Sequence, residues 1–173
     1  MNTATVRTRL GPVTVTAGPA GITGVGFSGA GLRVSDAATG APSAPAGLAA
    51  QTAVAIARYV GGGAALPAAT IDPAVFGDGF SGRVLAALRD LPLGETTTYR
   101  ALAVRVGRPG AARAVGNVLA RNPVPILLPC HRVIRSDGRM SGYLGEADTT
   151  RRALLLDLDA RLAAADTVAH SGA

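Results

Sequence analysis

The sequence predicts an α+β protein, with a small N-terminal β-rich lobe followed by a C-terminal helical lobe that contains a helix-turn-helix. Three observations carry that prediction. Short β-prone segments bounded by Gly and Pro crowd the first 34 residues, and helical periodicity takes over from Phe80. Two short helical segments are then joined by a tight Arg108-Pro109-Gly110 turn. At 173 residues the chain accommodates one sizeable core or two small lobes, since domains commonly run about 100 to 150 residues. The boundary is drawn at Gly79, giving lobes 1–79 and 80–173.

Within the first lobe, TVRTRL (5–10) reads as a strand, Gly11-Pro12 as a turn signal, and VTVTAG and GITGVGF as two further strands of an antiparallel meander. The stretch 35–47, rich in Pro, Ala, Ser and Gly, reads as a linker or exposed loop. LAAQTAVAIARYV (48–60) has helical propensity and period, and the glycines at 61–63 end it. In the second lobe FSGRVLAALRDL forms a helix that stops at Pro92. TTTYRALAVRVG follows, with a Thr able to cap its start and Gly107 to close it. AARAVGNVLARN is the second helix of the pair, halted by Pro123. PVPILLPCHRVI reads as an extended segment that its prolines keep from being a central strand. SDGRMSGYLGE is a turn-rich loop, and TTRRALLLDLDARLAA (149–164) is a last helix.

Composition narrows the function classes. No apolar stretch approaches the roughly 20 residues that a membrane span needs. The N-terminus lacks the charged-then-apolar layout of a secretory signal, and a lone cysteine cannot form an internal disulfide. A cytoplasmic protein with no membrane partner is expected. Formal charge is +6 and unevenly placed, because residues 80–140 hold ten arginines against Asp90, Glu95 and Asp137. Such a basic half suits a polyanionic partner such as nucleic acid, and a solvated arginine-rich surface gives the same count. With three Phe, three Tyr and no Trp, a base-stacking platform for single strands is poorly supplied.

A lone cysteine is most often a buried small hydrophobe, but Cys130 has His131 and Arg132 directly after it. Thiolate character requires nearby positive charge, a base or a helix N-terminus. Adjacent residues on a regular strand point to opposite faces, so adjacency alone does not establish a contact. One Cys and two His, the second being His170 near the end of the chain, cannot supply four zinc ligands without carboxylates, so no metal site is expected.

Pro129-Cys130-His131-Arg132-Val133 resembles the active-site signature of the O6-alkylguanine-DNA alkyltransferases. Gly94-Glu95-Thr96-Thr97-Thr98-Tyr99, Ala112-Arg113-Ala114-Val115-Gly116 and Arg121-Asn122-Pro123-Val124-Pro125-Ile126 resemble that family in the same order and spacing, without a gap from Phe80 to Tyr143. The first 70 residues resemble it only loosely. The resemblance implies repair of double-stranded DNA by a single-turnover reaction, in which O6-alkylguanine is flipped out through the minor groove and loses its alkyl group irreversibly to Cys130. It implies no cofactor. It makes Arg113 the wedge that fills the vacated stack, with Tyr99 rotating the nucleotide outward. Ala112, Ala114 and Gly116 would be the small residues that let the helix approach the groove.

In the pocket, the resemblance gives the Tyr99 hydroxyl to guanine N3 and the backbone N–H of Leu144 to O6. The carbonyls of Cys130 and Val133 accept from the exocyclic amine, and Pro125 and Tyr143 help to form the walls. His131 takes the thiol proton through water and is held by a carboxylate, while Asn122 ties the helix-turn-helix to the active-site segment. Matching Arg152 to Asp159 with the family's basic residue, Leu-Leu and acid puts Asp159 at the acid position; counting without a small loop insertion gives Asp157. Asp159 is the expected partner. A monomer is expected, with cooperation along DNA and activity on O4-alkylthymine left open. Competing readings are a non-catalytic sensor of alkylated bases, against which Cys130 argues, a Cys–His hydrolase, which lacks a convincing groove, and a transcription regulator, which lacks a dimerisation element.

Overall fold

The structure, a computed structural model, describes residues 1–27, 47–147 and 149–171, with side chains described up to Val168. It divides into two compact units, Met1–Val75 and Phe76–Ala173. All of the expected linker at 35–47 except Gly47, and the side chain of His170, lie outside the described residues.

The first unit is a three-stranded antiparallel sheet in the order β1 (Asn2–Thr8), β2 (Gly11–Gly18), β3 (Gly21–Phe27), with helix α1 (Leu48–Val60) packed on it. Alternation along β2 puts Val13, Val15 and Ala17 in the core, against Ala53, Ile56, Tyr59 and Val60 of α1 and Ile22 and Val25 of β3. Gly11-Pro12 is not the turn that it resembles: the chain reverses at Arg9-Leu10, and Pro12 is the second residue of the central strand, opposite Arg7. Among the described residues β3 pairing begins at Val13, and no ladder bond there needs a proline N–H. Beside Gly21, Ile22 bonds to the segment around Ile71. A Cβ on Gly21 would stand 2.7 Å from the Thr70 carbonyl and the Asp72 nitrogen, so the close approach excludes a side chain.

The second unit contains α2 (Gly79–Arg89), β4 (Thr97–Thr98), α3 (Tyr99–Arg105), α4 (Ala112–Leu119), β5 (Val133–Ile134) and α5 (Thr150–Ser171). Thr98 caps α3 by accepting from Ala101 N at 3.0 Å, and Gly107, at φ 74°, closes it in the left-handed conformation. The turn through Gly110 then starts α4. Leu102, Ala103, Val115 and Leu119 are buried in this helix-turn-helix, whereas Arg100, Arg108, Arg113 and Arg121 are exposed. The expected extended segment is mostly turns. Prolines at 123, 125 and 129 remove three ladder donors, Ile126 sits at φ 73°, and Cys130–Arg132 forms a 3-10 turn. Only Val133–Ile134 is strand, pairing in parallel with Thr97–Thr98. Helix α5 outruns its expected end at residue 164, because Ala-rich sequence with no Gly or Pro carries it to Ser171.

Candidate active site

The short β4–β5 ladder positions the site, since it fixes the turn carrying Cys130 beside the start of α3, which carries Tyr99. On α5 the buried residues Arg152, Leu155 and Asp159 follow the i, i+3, i+7 spacing of one helix face. These two elements bring two polar clusters to the thiol.

The first cluster centres on His131, which is fully buried. Its Nε2 lies 3.0 Å from Asp159 Oδ2, and the same oxygen accepts from Arg132 Nε at 2.6 Å. Arg132 also donates to the carbonyls of Leu91 and Pro92, tying the end of α2 to the site. Burial pushes the His131 pKa down despite the opposing Asp159 carboxylate, and the charges of Arg132 and Arg152 push it further. The ring is therefore neutral at neutral pH, with its hydrogen on Nε2 facing the carboxylate. Nδ1 is left as the basic nitrogen, buried and without a hydrogen-bond partner among the described residues. Asp157 is placed elsewhere: its side chain is 65% exposed and pairs with Arg161 one turn along the helix.

The second cluster surrounds Cys130, which is 1% exposed. Burial raises the pKa of its thiol, opposed by hydrogen bonding from Asn122, the charge of Arg152 and hydrogen bonding from Tyr143. Asn122 also braces the preceding loop, donating to Leu128 O at 2.8 Å and accepting from Val124 N at 3.1 Å. Pro125 and Val133 are buried nearby in sequence. Tyr143 is buried in a tight turn where its N–H and that of Glu146 exchange backbone bonds, and Leu144 takes φ 53° at the apex. Gly142 makes that turn possible, because a Cβ there would lie 1.9 Å from the Glu146 carbonyl oxygen.

Arg113 and Ala114 are exposed on α4, with Ala112 and Gly116 half-buried. A Cβ built on Gly116 would touch the ring of Tyr99 at 3.8 Å. Sequence reasoning named Arg132 only as positive charge following the thiol and Arg152 only as the basic residue that aligns the last helix, and it gave no role to Ser141. Arg152 lies seven residues before Asp159, on the face of α5 that Leu155 shows to be buried, and that spacing is the signal that marks it.

Fold and site together define a class: a helix-turn-helix lobe built around one buried cysteine with an adjacent His–Asp pair. Residues 79–160 match the family model for the 6-O-methylguanine DNA methyltransferase DNA-binding domain. The methylated-DNA–protein-cysteine methyltransferase of Methanosarcina barkeri is 47% identical over 81 residues, covering 47% of this chain and 51% of that protein. The protein of that name from Rattus norvegicus is 49% identical over 79 residues, covering 45% of this chain and 38% of the relative. The matched segment thus spans about half the length or less of these curated relatives. A solved variant of the Mycobacterium tuberculosis O6-methylguanine methyltransferase superposes over 92% of both chains at 31% identity and a TM-score of 0.72. The Mycobacterium tuberculosis OGT in complex with DNA also superposes at 31% identity and a TM-score of 0.72, over 92% of this chain and 93% of that one. This chain belongs to the family of O6-methylguanine-DNA methyltransferases, the methylated-DNA–protein-cysteine methyltransferases. No helix among the described residues is long and apolar enough to cross a membrane.

Proposed function

We propose that this chain repairs O6-alkylguanine in double-stranded DNA by transferring the alkyl group irreversibly to Cys130, each molecule acting once. The carrying observation is that the only thiol in the sequence is buried beside Asn122, Tyr143 and Arg152, one residue from a neutral His131 oriented by Asp159. In this reading the thiol proton passes through water to His131 Nδ1, a sulfur–carbon bond forms, and the carbon–O6 bond breaks. The electron pair leaves on guanine, which takes that proton from His131 by way of water and departs neutral; no oxidant, metal or cofactor takes part in this reading.

A duplex-embedded base is out of reach of a buried thiol, so the nucleotide is extruded. Arg113 fills the vacated stack, Tyr99 turns the nucleotide out, and Ala112, Ala114 and Gly116 let α4 approach the minor groove. Tyr99 donates to guanine N3 and the Leu144 N–H to O6. The carbonyls of Cys130 and Val133 accept from the amine, and Pro125 and Tyr143 form walls. Cys130 O already accepts from the Val133 N–H and from Arg152 at 3.3 Å, so in this reading the amine takes the place of the long Arg152 contact. The chemistry and DNA contacts are assigned to lobe 80–173. The protein is taken to act as a cytoplasmic monomer, with O4-alkylthymine a second candidate substrate. Cys130→Ala tests the reading: it should bind duplex DNA containing O6-methylguanine and transfer nothing, and repair by that variant would refute it.

A further inference from the structure

Arg152 is 2% exposed and no carboxylate pairs with it among the described residues. An unpaired buried charge is costly, so a guanidinium in that position is expected to have a specific use. Its neighbours all belong to the site. NH1 and NH2 lie 3.2 and 3.3 Å from the Tyr99 hydroxyl oxygen, NH1 also donates to Ser141 Oγ and Ser141 O, and NH2 donates to Cys130 O. The guanidinium also faces the ring of Tyr143, 5.9 Å from its centroid.

We infer that Arg152 is a positioning residue that fixes the direction of the Tyr99 hydroxyl, turning its hydrogen away from the protein and toward an acceptor nitrogen on the extruded base. This rests on the alkyl-transfer reading above. A guanidinium has only donors, whereas a phenol has one hydrogen and a lone-pair side. With both terminal nitrogens of Arg152 on that side, Tyr99 cannot donate toward Arg152. Its hydrogen has two remaining directions, Ser141 Oγ at 2.9 Å or the open pocket. Ser141 Oγ itself accepts from Arg152, so its own hydrogen is free to swing onto Tyr99. When an acceptor arrives, Ser141 rotates to donate to Tyr99 and Tyr99 donates to the base. The polarity is enforced because a guanidinium offers donors and no acceptor. The chemistry selected is a purine whose ring nitrogen at this point is an unprotonated acceptor, and negative charge building there during transfer strengthens the bond.

The test uses single-turnover methyl transfer to the 173-residue chain from two duplexes of one sequence, containing O6-methylguanine or its 3-deaza analogue, which replaces the N3 acceptor with C–H. Wild type should react with the natural base roughly ten- to a hundredfold faster, the span of one hydrogen bond involving charge. Arg152→Met should bring that ratio close to one, and Arg152→Lys, a donor-only cation, should restore part of it. Loss of the Arg152–Cys130 contact slows both substrates alike and cancels in the ratio. If Arg152→Met does not fold, Arg152→Gln, whose amide can accept as well as donate, carries the same expectation. A ratio unchanged in the neutral variant, or a wild type that reacts equally with both bases, overturns the inference while leaving alkyl transfer intact. A wild type that methylates Cys130 from neither duplex removes the underlying reading instead.

Discussion

His131 Nε2 and Asp159 Oδ2 lie 3.0 Å apart with both side chains out of solvent, and this contact decides which histidine nitrogen can act as a base. The same carboxylate oxygen holds Arg132. Asp159→Asn should therefore slow alkyl transfer by orders of magnitude and destabilise the fold by about 3–5 kcal/mol, the usual cost of removing one partner of a buried pair. Asp157→Asn, an exposed change, should stay within about 0.5 kcal/mol of wild type and leave transfer unchanged. Urea unfolding and transfer rates on the two variants make the comparison, and equal effects would contradict the geometry.

Burial holds His131 below its ordinary 6.5 and Cys130 above its ordinary 9.0, which sets the signs of two stability limbs. As pH falls below about 6.5 the unfolded chain takes up the histidine proton first, so stability drops. As pH rises past about 9 the unfolded chain loses the thiol proton first, and stability drops again, because the slope follows protons bound unfolded minus folded. Urea midpoints should show a plateau between these limits, and Cys130→Ala should weaken the alkaline decline. A midpoint that keeps rising through the alkaline range, unaltered in that variant, would contradict the buried thiol.

Gly142 tests whether the Tyr143 turn shapes the pocket. A methyl there would drive into the Glu146 carbonyl that Tyr143 N uses, so Gly142→Ala must shift the turn. The expected cost is about 1–3 kcal/mol, as for overpacking elsewhere, with transfer reduced at least tenfold. Gly138→Ala, where a Cβ meets nothing within 4 Å though φ is 72°, controls for backbone strain alone. Equal transfer rates in the two variants would show that the turn does not matter.

Base extrusion and chemistry separate at Arg113. An extruded base leaves a hole costing a few kcal/mol, which a planar guanidinium can fill, whereas a free alkylated base has no stack to leave. Arg113→Ala should cripple transfer from duplex DNA while largely sparing the slow reaction with free O6-benzylguanine. Arg108→Ala and Arg121→Ala, also exposed, should only weaken binding and reduce the salt slope by about one each. Three identical profiles would reduce Arg113 to one more surface charge.

The parts of the fold most legible in sequence were those governed by local rules. Alternation gave the strands of the first lobe, and the Thr98 cap and Gly107 stop framed α3. The 3-10 turn at Cys130 was hidden because its prolines forbid a strand without specifying what replaces it. At the site, Cys130 and His131 were marked by adjacency, and the motif match favoured Asp159 over Asp157, a choice that α5 makes by turning one carboxylate inward and the other to solvent. Arg152 was the least visible: a buried arginine looks like any surface arginine until its partners, 11 to 53 residues away in sequence, are in place.

The most direct measurement is the intact mass of the wild-type protein after incubation with excess duplex DNA containing O6-methylguanine. One methyl group per molecule, mapped to Cys130 and never exceeded however much DNA is supplied, is the predicted result. An unmodified mass with the DNA repaired, or methyl transfer to any other residue, would contradict irreversible capture by Cys130.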